Sequence, residues 1–349
     1  MSLKRVARKS IRFYTKNYDF FLPKDLIASK PVYPADEAKL LIFDRKTKKT
    51  THDTFKNIIN YLPQNLSVYL NNTKVIKARI YGFKPTKGKI ELLVLRYLDD
   101  IKCLVYIKGK VQKDMELLFE DNLIAKVIDI LDDGSKIVHF YQNNQKIKFD
   151  NLVTILDKIG HVPLPSYIKR DDDIEDIKDY QTIFAKTYGA VASPTASLHF
   201  TQELFNRFKE KFDINYLTLH IGAGTFKPVD VEDIREFKIH KECYDIPKTT
   251  IESLQNKTTK KMAIGTTVTR TIEYYNKTKL SSGLCDLFLH PHNKPQITDI
   301  LLTNFHLPRS TLIMLVASFV GVEQTIKLYD EAIKKDYRFY SYGDAMLVV

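Results

Sequence analysis

No tryptophan occurs among the 349 residues, and there are only three cysteines and twelve glycines. Cys103, Cys243 and Cys285 are far apart, odd in number and free of any C-x-x-C pattern. These features argue against a disulfide scaffold and a cysteine-rich zinc site, and they make the reducing cytoplasm the expected location. Histidine spacing of the H-E-x-x-H kind is also missing, so no metal is expected. No apolar run reaches the roughly 18 residues that a spanning helix needs. The longest candidate, Leu312 to Val322, is interrupted by Ser318 and Gly321 and reads as a buried helix. No membrane partner is expected.

The chain has 54 Lys+Arg against 42 Asp+Glu, a formal charge of +12. This points weakly to a polyanionic partner, because Lys supplies most of the excess and a Lys-heavy composition can be genome-wide. A hydrophobic share of 44% with 28% charged residues excludes wholesale disorder. The length suggests about two domains. Lys4, Arg5, Arg8, Lys9, Arg12 and Lys16 stand without an acid among them or an apolar block behind them. Residues 1–17 therefore read as a flexible basic leader or an anion-touching arm, not as a secretory signal.

Two patterns alternate along the chain. Residues 19–70 mix a short helix from Leu22 to Ala28, strands at Lys39–Asp44 and Leu66–Leu70, and helical spacing over Thr54–Tyr61. From 75 to 153 short β-rich runs recur, separated by turn signals such as Lys87-Gly88, Lys108-Gly109 and Asp132-Asp133-Gly134. That spacing predicts a small antiparallel barrel or sandwich. Helices and strands alternate again afterwards. The expected organisation is an α/β domain, residues 1–74 and 154–349, interrupted by an inserted antiparallel β-barrel domain at 75–153. The acidic stretch Asp171–Asp179 reads as a solvated loop or helix start.

The strand ends carry the chemistry-bearing residues. Gly222 and Gly224 follow the strand Tyr216–His220, where glycines let backbone N–H groups approach a ligand. A dinucleotide fingerprint would need a third glycine where Lys227 stands, and the Gly-Lys-Ser/Thr of a P-loop is absent. Gly265-Thr266-Thr267 follows another strand and leads to Arg270, which could pair a carboxylate bidentately. Asn304-Phe305-His306 follows a third, with an amide that both donates and accepts. His199, His220, His240, His290, His292 and His306 all fall in such loops, which raises the prospect of acid–base chemistry. A run of small residues, Gly189–Ser197, permits close approach of a ligand or another element.

Taken together, Asp19–Ala28, Tyr69–Arg79, Gly160–Arg170, Gly189–Phe200, Thr218–Pro228, His240–Tyr244, Gly265–Arg270, Thr303–Leu315 and Tyr337–Met346 resemble the S-adenosylmethionine:tRNA ribosyltransferase-isomerases of queuosine biosynthesis. The match is collinear from about residue 18 to the end. Lys74 stands where the family usually has Arg. Ser193 and Ser197 stand where it usually has Ala and Gly, and His290-Pro291-His292 replaces a Tyr-Pro-Gly. The basic leader is extra.

The resemblance implies transfer of the ribosyl part of S-adenosylmethionine to the 7-aminomethyl-7-deazaguanine at a tRNA wobble position. The product would be epoxyqueuosine, with release of adenine and methionine. S-adenosylmethionine would be consumed as cosubstrate, with no metal or redox cofactor, and the enzyme would act as a monomer. His199, His220 and Glu242 are the expected catalytic residues. Arg270, with Thr266 and Thr267, would hold the methionine carboxylate. Asn304 and His306 would meet adenine or ribose. Asn71, Asn72 and Arg79 would bind the target base or an adjoining phosphate. Thr195, Gly222, Gly224, Thr225 and Asp344 complete the expected binding set. Two alternatives are an S-adenosylmethionine-dependent RNA methyltransferase, since Gly222-Ala223-Gly224 superficially resembles its glycine loop, and a non-catalytic RNA-binding module.

Overall fold

The computed structural model describes residues 13–222 and 229–349. Gly224, Thr225 and most of the basic leader lie outside them. One sheet of nine strands carries the larger part of the fold. Its members are β1 (Lys39–Phe43), β2 (Thr50–Thr54), β3 (Leu66–Asn71), β13 (Asp213–Leu219), β14 (Glu242–Asp245), β15 (Lys260–Ile264), β16 (Ser282–Cys285), β17 (Ile300–Asn304) and β18 (Ala345–Val348). They run in the order β16-β14-β13-β3-β15-β17-β18-β1-β2.

The central strands are buried on both faces, so they read as continuous apolar runs. Alternate residues serve opposite cores. Leu41, Phe43, Leu219, Ala263, Leu301 and Met346 face one layer, which includes Val268 and Ile272 of the helix Thr266–Thr278 and the helix Thr311–Val320. Leu40, Ile42, Val68, Met262, Ile300 and Leu347 face the other, packed on Leu204, Phe205 and Phe208 of the helix Gln202–Lys211. The result is a layered α/β domain, as expected. The apolar segment near the C-terminus breaks at Gly321 into two helices 111° apart, Thr311–Val320 and Val322–Lys334. Among the described residues no single helix is long and apolar enough to cross a membrane.

The second sheet is the barrel, formed by β5 (Arg79–Phe83), β6 (Lys89–Tyr97), β7 (Lys102–Lys108), β8 (Glu116–Phe119), β9 (Leu123–Ile130), β10 (Lys136–Gln142) and the short edge strand β11 (Gln145–Lys146). Pairing of β10 with β9 closes six antiparallel strands. Closure removes the exposed edges that an open sheet of this size would carry. Ile80, Leu92, Val94, Val105, Leu117, Val127 and Val138 fill its interior. Leu152, Val153, Ile155 and Leu156 of the helix Phe149–Ile159 join that core. The seam expected at 153/154 thus falls inside this helix. A small parallel pair, β4 (Thr73–Val75) with β12 (Thr187–Ala190), follows β3.

Strands β3, β13, β15 and β17 are mutually parallel, and β18 runs antiparallel to β17. Their geometry brings Asn71, His220, Gly265, Asn304 and Asp344 to one edge of the sheet. Ligands of α/β sheets gather at this carboxyl edge.

Candidate active site

A cleft opens between the ends of β15 and β17. It is lined by Ser193, Thr195, Thr266, Thr267, Asn304 and His306, with Ser310, Tyr340 and Ser341 also on its walls. Counted with the solvent space at its open mouth, it spans about 690 Å³. Among the described residues its lining holds no Lys, Arg, Asp or Glu. Four segments distant in sequence therefore meet, and Thr195, Thr266, Thr267, Asn304 and His306 come together as expected.

The Asn304 side chain is fixed from two sides. Its Oδ1 accepts from Thr195 Oγ1 at 3.1 Å, and its Nδ2 donates toward His199 Nε2 at 3.4 Å. His199 is 5% exposed and tilts against Phe55, with 5.0 Å between ring centroids. Burial, with a smaller contribution from Arg338, pushes its pKa down to about 3. It does not line the cleft. His199, expected as a proton-transfer residue, thus stands behind Asn304 and reaches the cleft only through it. His306 does line the cleft. Thr303 Oγ1 lies 2.8 Å from its Nε2, and burial pushes its pKa down to about 3.

His220 stands at the end of β13, outside this lining. Its Nδ1 is 2.8 Å from Thr73 Oγ1, which sets the ring plane. Tyr97 of the barrel approaches it edge-on at 6.4 Å. Gly189, at φ +142°, lies so close that a Cβ there would come within 2.8 Å of the imidazole. The small-residue run thus makes room for a histidine as well as for a ligand. Burial lowers the His220 pKa to about 4, so the ring is neutral at pH 7.

Several expected ligand residues are instead saturated by the protein. Glu242 and Arg270 form a buried ion pair, Nη1 to Oε2 at 2.6 Å, with side chains 4% and 6% exposed. Arg270 also donates to the carbonyls of Leu287, Cys285 and His240. The second Glu242 oxygen accepts the Gly222 N–H at 3.3 Å. The two residues expected to hold a carboxylate and an amine are thus paired with each other, next to the Gly222 N–H. Asn71 is fully buried, donating to Leu219 O and accepting from the N–H groups of Leu219 and Thr73. These bonds tie β3 to the end of β13, and the side chain expected to meet a base is buried. Asn72 accepts from Thr218 Oγ1 at 2.7 Å. Arg79 pairs Glu91 and donates to Leu164 O. Asp344 accepts from the N–H groups of Lys39 and Arg338, closing the turn before β18. It is architectural too.

Sequence reasoning passed over Ser193 as a site residue, although its departure from the family pattern was a signal. It is 3% exposed, lines the cleft, and its Oγ has no hydrogen-bond partner among the described residues. Two other departures meet each other: Phe13, where the leader enters the described chain, stacks on His292 at 4.1 Å. Lys74 lies over the half-exposed Tyr188 ring at 4.4 Å and donates to its hydroxyl. Among the described residues no three His, Cys, Asp or Glu converge as a metal site.

The family model described as queuosine biosynthesis protein matches residues 15–348. An S-adenosylmethionine:tRNA ribosyltransferase-isomerase of Aliarcobacter butzleri is 57% identical over 335 residues, 96% of this chain and 98% of its own. One from Campylobacter jejuni strain RM1221 is 54% identical over 336 residues, 95% and 98% of the two chains. Among solved structures, the S-adenosylmethionine tRNA ribosyltransferase of Thermotoga maritima is similar with a TM-score of 0.54 and 32% identity, over 95% of this chain and all of that one. With identity this high over nearly the whole length, spanning every segment that builds the cleft, the chain belongs to the queuosine biosynthesis protein family.

Proposed function

We propose that this chain is an S-adenosylmethionine:tRNA ribosyltransferase-isomerase. It moves the ribosyl part of S-adenosylmethionine onto the 7-aminomethyl-7-deazaguanine at a tRNA wobble position and isomerises it, giving epoxyqueuosine, adenine and methionine. The observation that carries this reading is the 57% identity to a relative of that name over 96% of the chain.

The geometry supports the chemistry. The sulfonium acidifies the ribose C5′ protons, and a base removes one. Adenine leaves as the ring opens, the aminomethyl nitrogen adds to the resulting vinyl sulfonium, and a later closure expels methionine. The sulfonium supplies the activation, so the sequence of steps calls for no protein nucleophile, metal or redox group. His220 is our choice for the proton acceptor beside the target base. It stands at the strand end beside Tyr97, and Thr73 orients its ring. His306 and Asn304 would contact adenine or ribose in the cleft. The excess of surface Lys, with Lys74 among them, would hold tRNA through its phosphates, with an affinity that falls steeply as salt rises. An unstacked anticodon nucleotide would enter beside Tyr97 and His220. We place the barrel as an inserted unit on a monomeric, cytoplasmic enzyme.

The decisive experiment is one incubation with S-adenosylmethionine and tRNA carrying the aminomethyl-deazaguanine, read by mass spectrometry. Epoxyqueuosine with equal adenine and methionine is expected, and His220→Ala should lower kcat by about 10²-fold. A methylated nucleoside with S-adenosylhomocysteine would replace this reading with a methyltransferase.

A further inference from the structure

The cleft can be divided by asking which of its polar groups already have partners. Thr195 Oγ1 is spent on Asn304, Thr303 Oγ1 on His306, and Ser310 Oγ on Leu307 O and on capping its own helix at Ile313 N. Among the described residues, two further features stand out. One is the N-terminus of the helix Thr266–Thr278. Gly265 turns the chain out of β15 at φ +97°, and no side chain caps the helix. The amides of its first turn, on Thr266, Thr267 and Val268, belong to residues that are 7%, 6% and 0% exposed. The other is the buried Oγ of Ser193, which lines the same cleft and has no hydrogen-bond partner among the described residues.

Leaving a buried donor without an acceptor is costly, so such groups normally pair with a ligand or an ordered water. Helix amides carry partial positive charge and favour an anion. Among the described residues the lining offers no Lys or Arg, and burial holds His306 neutral. The one basic residue of that helix turn, Arg270, is occupied by Glu242 and three carbonyls. S-adenosylmethionine brings one anionic group, its carboxylate. We infer that this carboxylate is held by the first-turn amides of the helix Thr266–Thr278 together with the hydroxyl of Ser193. This rests on the proposed use of S-adenosylmethionine, and it assigns to amides and a serine what the sequence had suggested for Arg270. The methionine half then lies at the end of β15, and the adenosyl half reaches Asn304 and His306.

The test is calorimetric titration of the full chain with S-adenosylmethionine and with its decarboxylated form, which keeps the sulfonium and the amine. The wild type should bind the carboxylated ligand about ten-fold or more tightly, and Ser193→Ala should weaken only that ligand, by about ten-fold. Thr266→Pro, which deletes one amide at a position where helices accept proline, should do the same. Ser197→Ala removes a second unpaired buried hydroxyl that lies off the cleft, and should change neither titration. A wild type that does not discriminate between the two ligands, or a Ser193→Ala loss equal for both, overturns the subsite while leaving the proposed reaction standing if product still forms. A wild type that binds neither ligand and makes no product overturns both. An inorganic phosphate that binds at the same amides and competes equally with both ligands would assign them to the tRNA backbone instead, and would also overturn the subsite.

Discussion

Two groups of buried polar residues meet the same edge of the large sheet, and they differ in one respect. Around Asn71, Glu242, Arg270 and Asp344, the side chains are paired with other parts of the fold. Around Ser193 and the start of the helix Thr266–Thr278, donors are left over. The first group resembles a ligand site in composition, but its side chains are paired within the fold. The second is poor in charge and has the unfilled hydrogen-bonding capacity that a ligand would complete. Residue type alone does not separate the two; satisfaction does.

The largest effect should come from breaking the saturated group. Arg270→Met leaves Glu242 buried without its cation and should cost about 3–5 kcal/mol in urea unfolding, with part of that loss recovered in the double variant with Glu242→Gln. If Arg270 were instead a ligand-binding residue, stability would hardly change and only affinity for S-adenosylmethionine would fall. Next comes Asn71→Ala, which strands two backbone N–H groups and a carbonyl between β3 and β13. A loss of about 2–3 kcal/mol is expected by the same measurement.

A pH titration probes the histidines on both sides of the comparison. His199, His220 and His306 are held neutral, at about 3, 4 and 3 against an ordinary 6.5. The unfolded chain binds more protons below pH 6.5, so their contribution is complete above that value and is lost as pH falls toward 4. Melting temperature should be level from pH 7 to 8 and decline from pH 6.5 to 4.5, with a shallower decline in His306→Gln. The smallest effect sharpens the contrast most. Ser193→Ala removes an unpaired buried hydroxyl and should leave unfolding free energy within about 0.5 kcal/mol of wild type, or raise it, while weakening cosubstrate binding.

Much of the fold was legible in local pattern. The barrel strands show apolar alternation between turn signals, and the runs at Lys39–Asp44 and Leu66–Leu70 correspond to β1 and β3. The strands β2, β14, β16 and β18 were not legible. They are four or five residues long, and three of them lie at or next to the sheet's edges, where little alternation is required. The helix Thr266–Thr278 was hidden by its run of threonines, whose branched side chains weaken helix propensity; burial of Val268 and Ile272 decides it.

The cleft residues on strand ends were found because Gly, Thr, Asn and His after an apolar run form a local signal. Their roles were another matter. Whether Arg270 is free depends on Glu242, whether Asn71 is free depends on a strand 148 positions away, and whether Asp344 is free depends on Lys39. By itself the sequence determined the two-part α/β and barrel organisation, the family, and the set of segments that build the cleft, because these follow from short-range periodicity and from motif order. Only the tertiary structure decided which polar groups the fold consumes and which it leaves for a ligand, because hydrogen-bond satisfaction is settled between residues that the chain brings together from far apart.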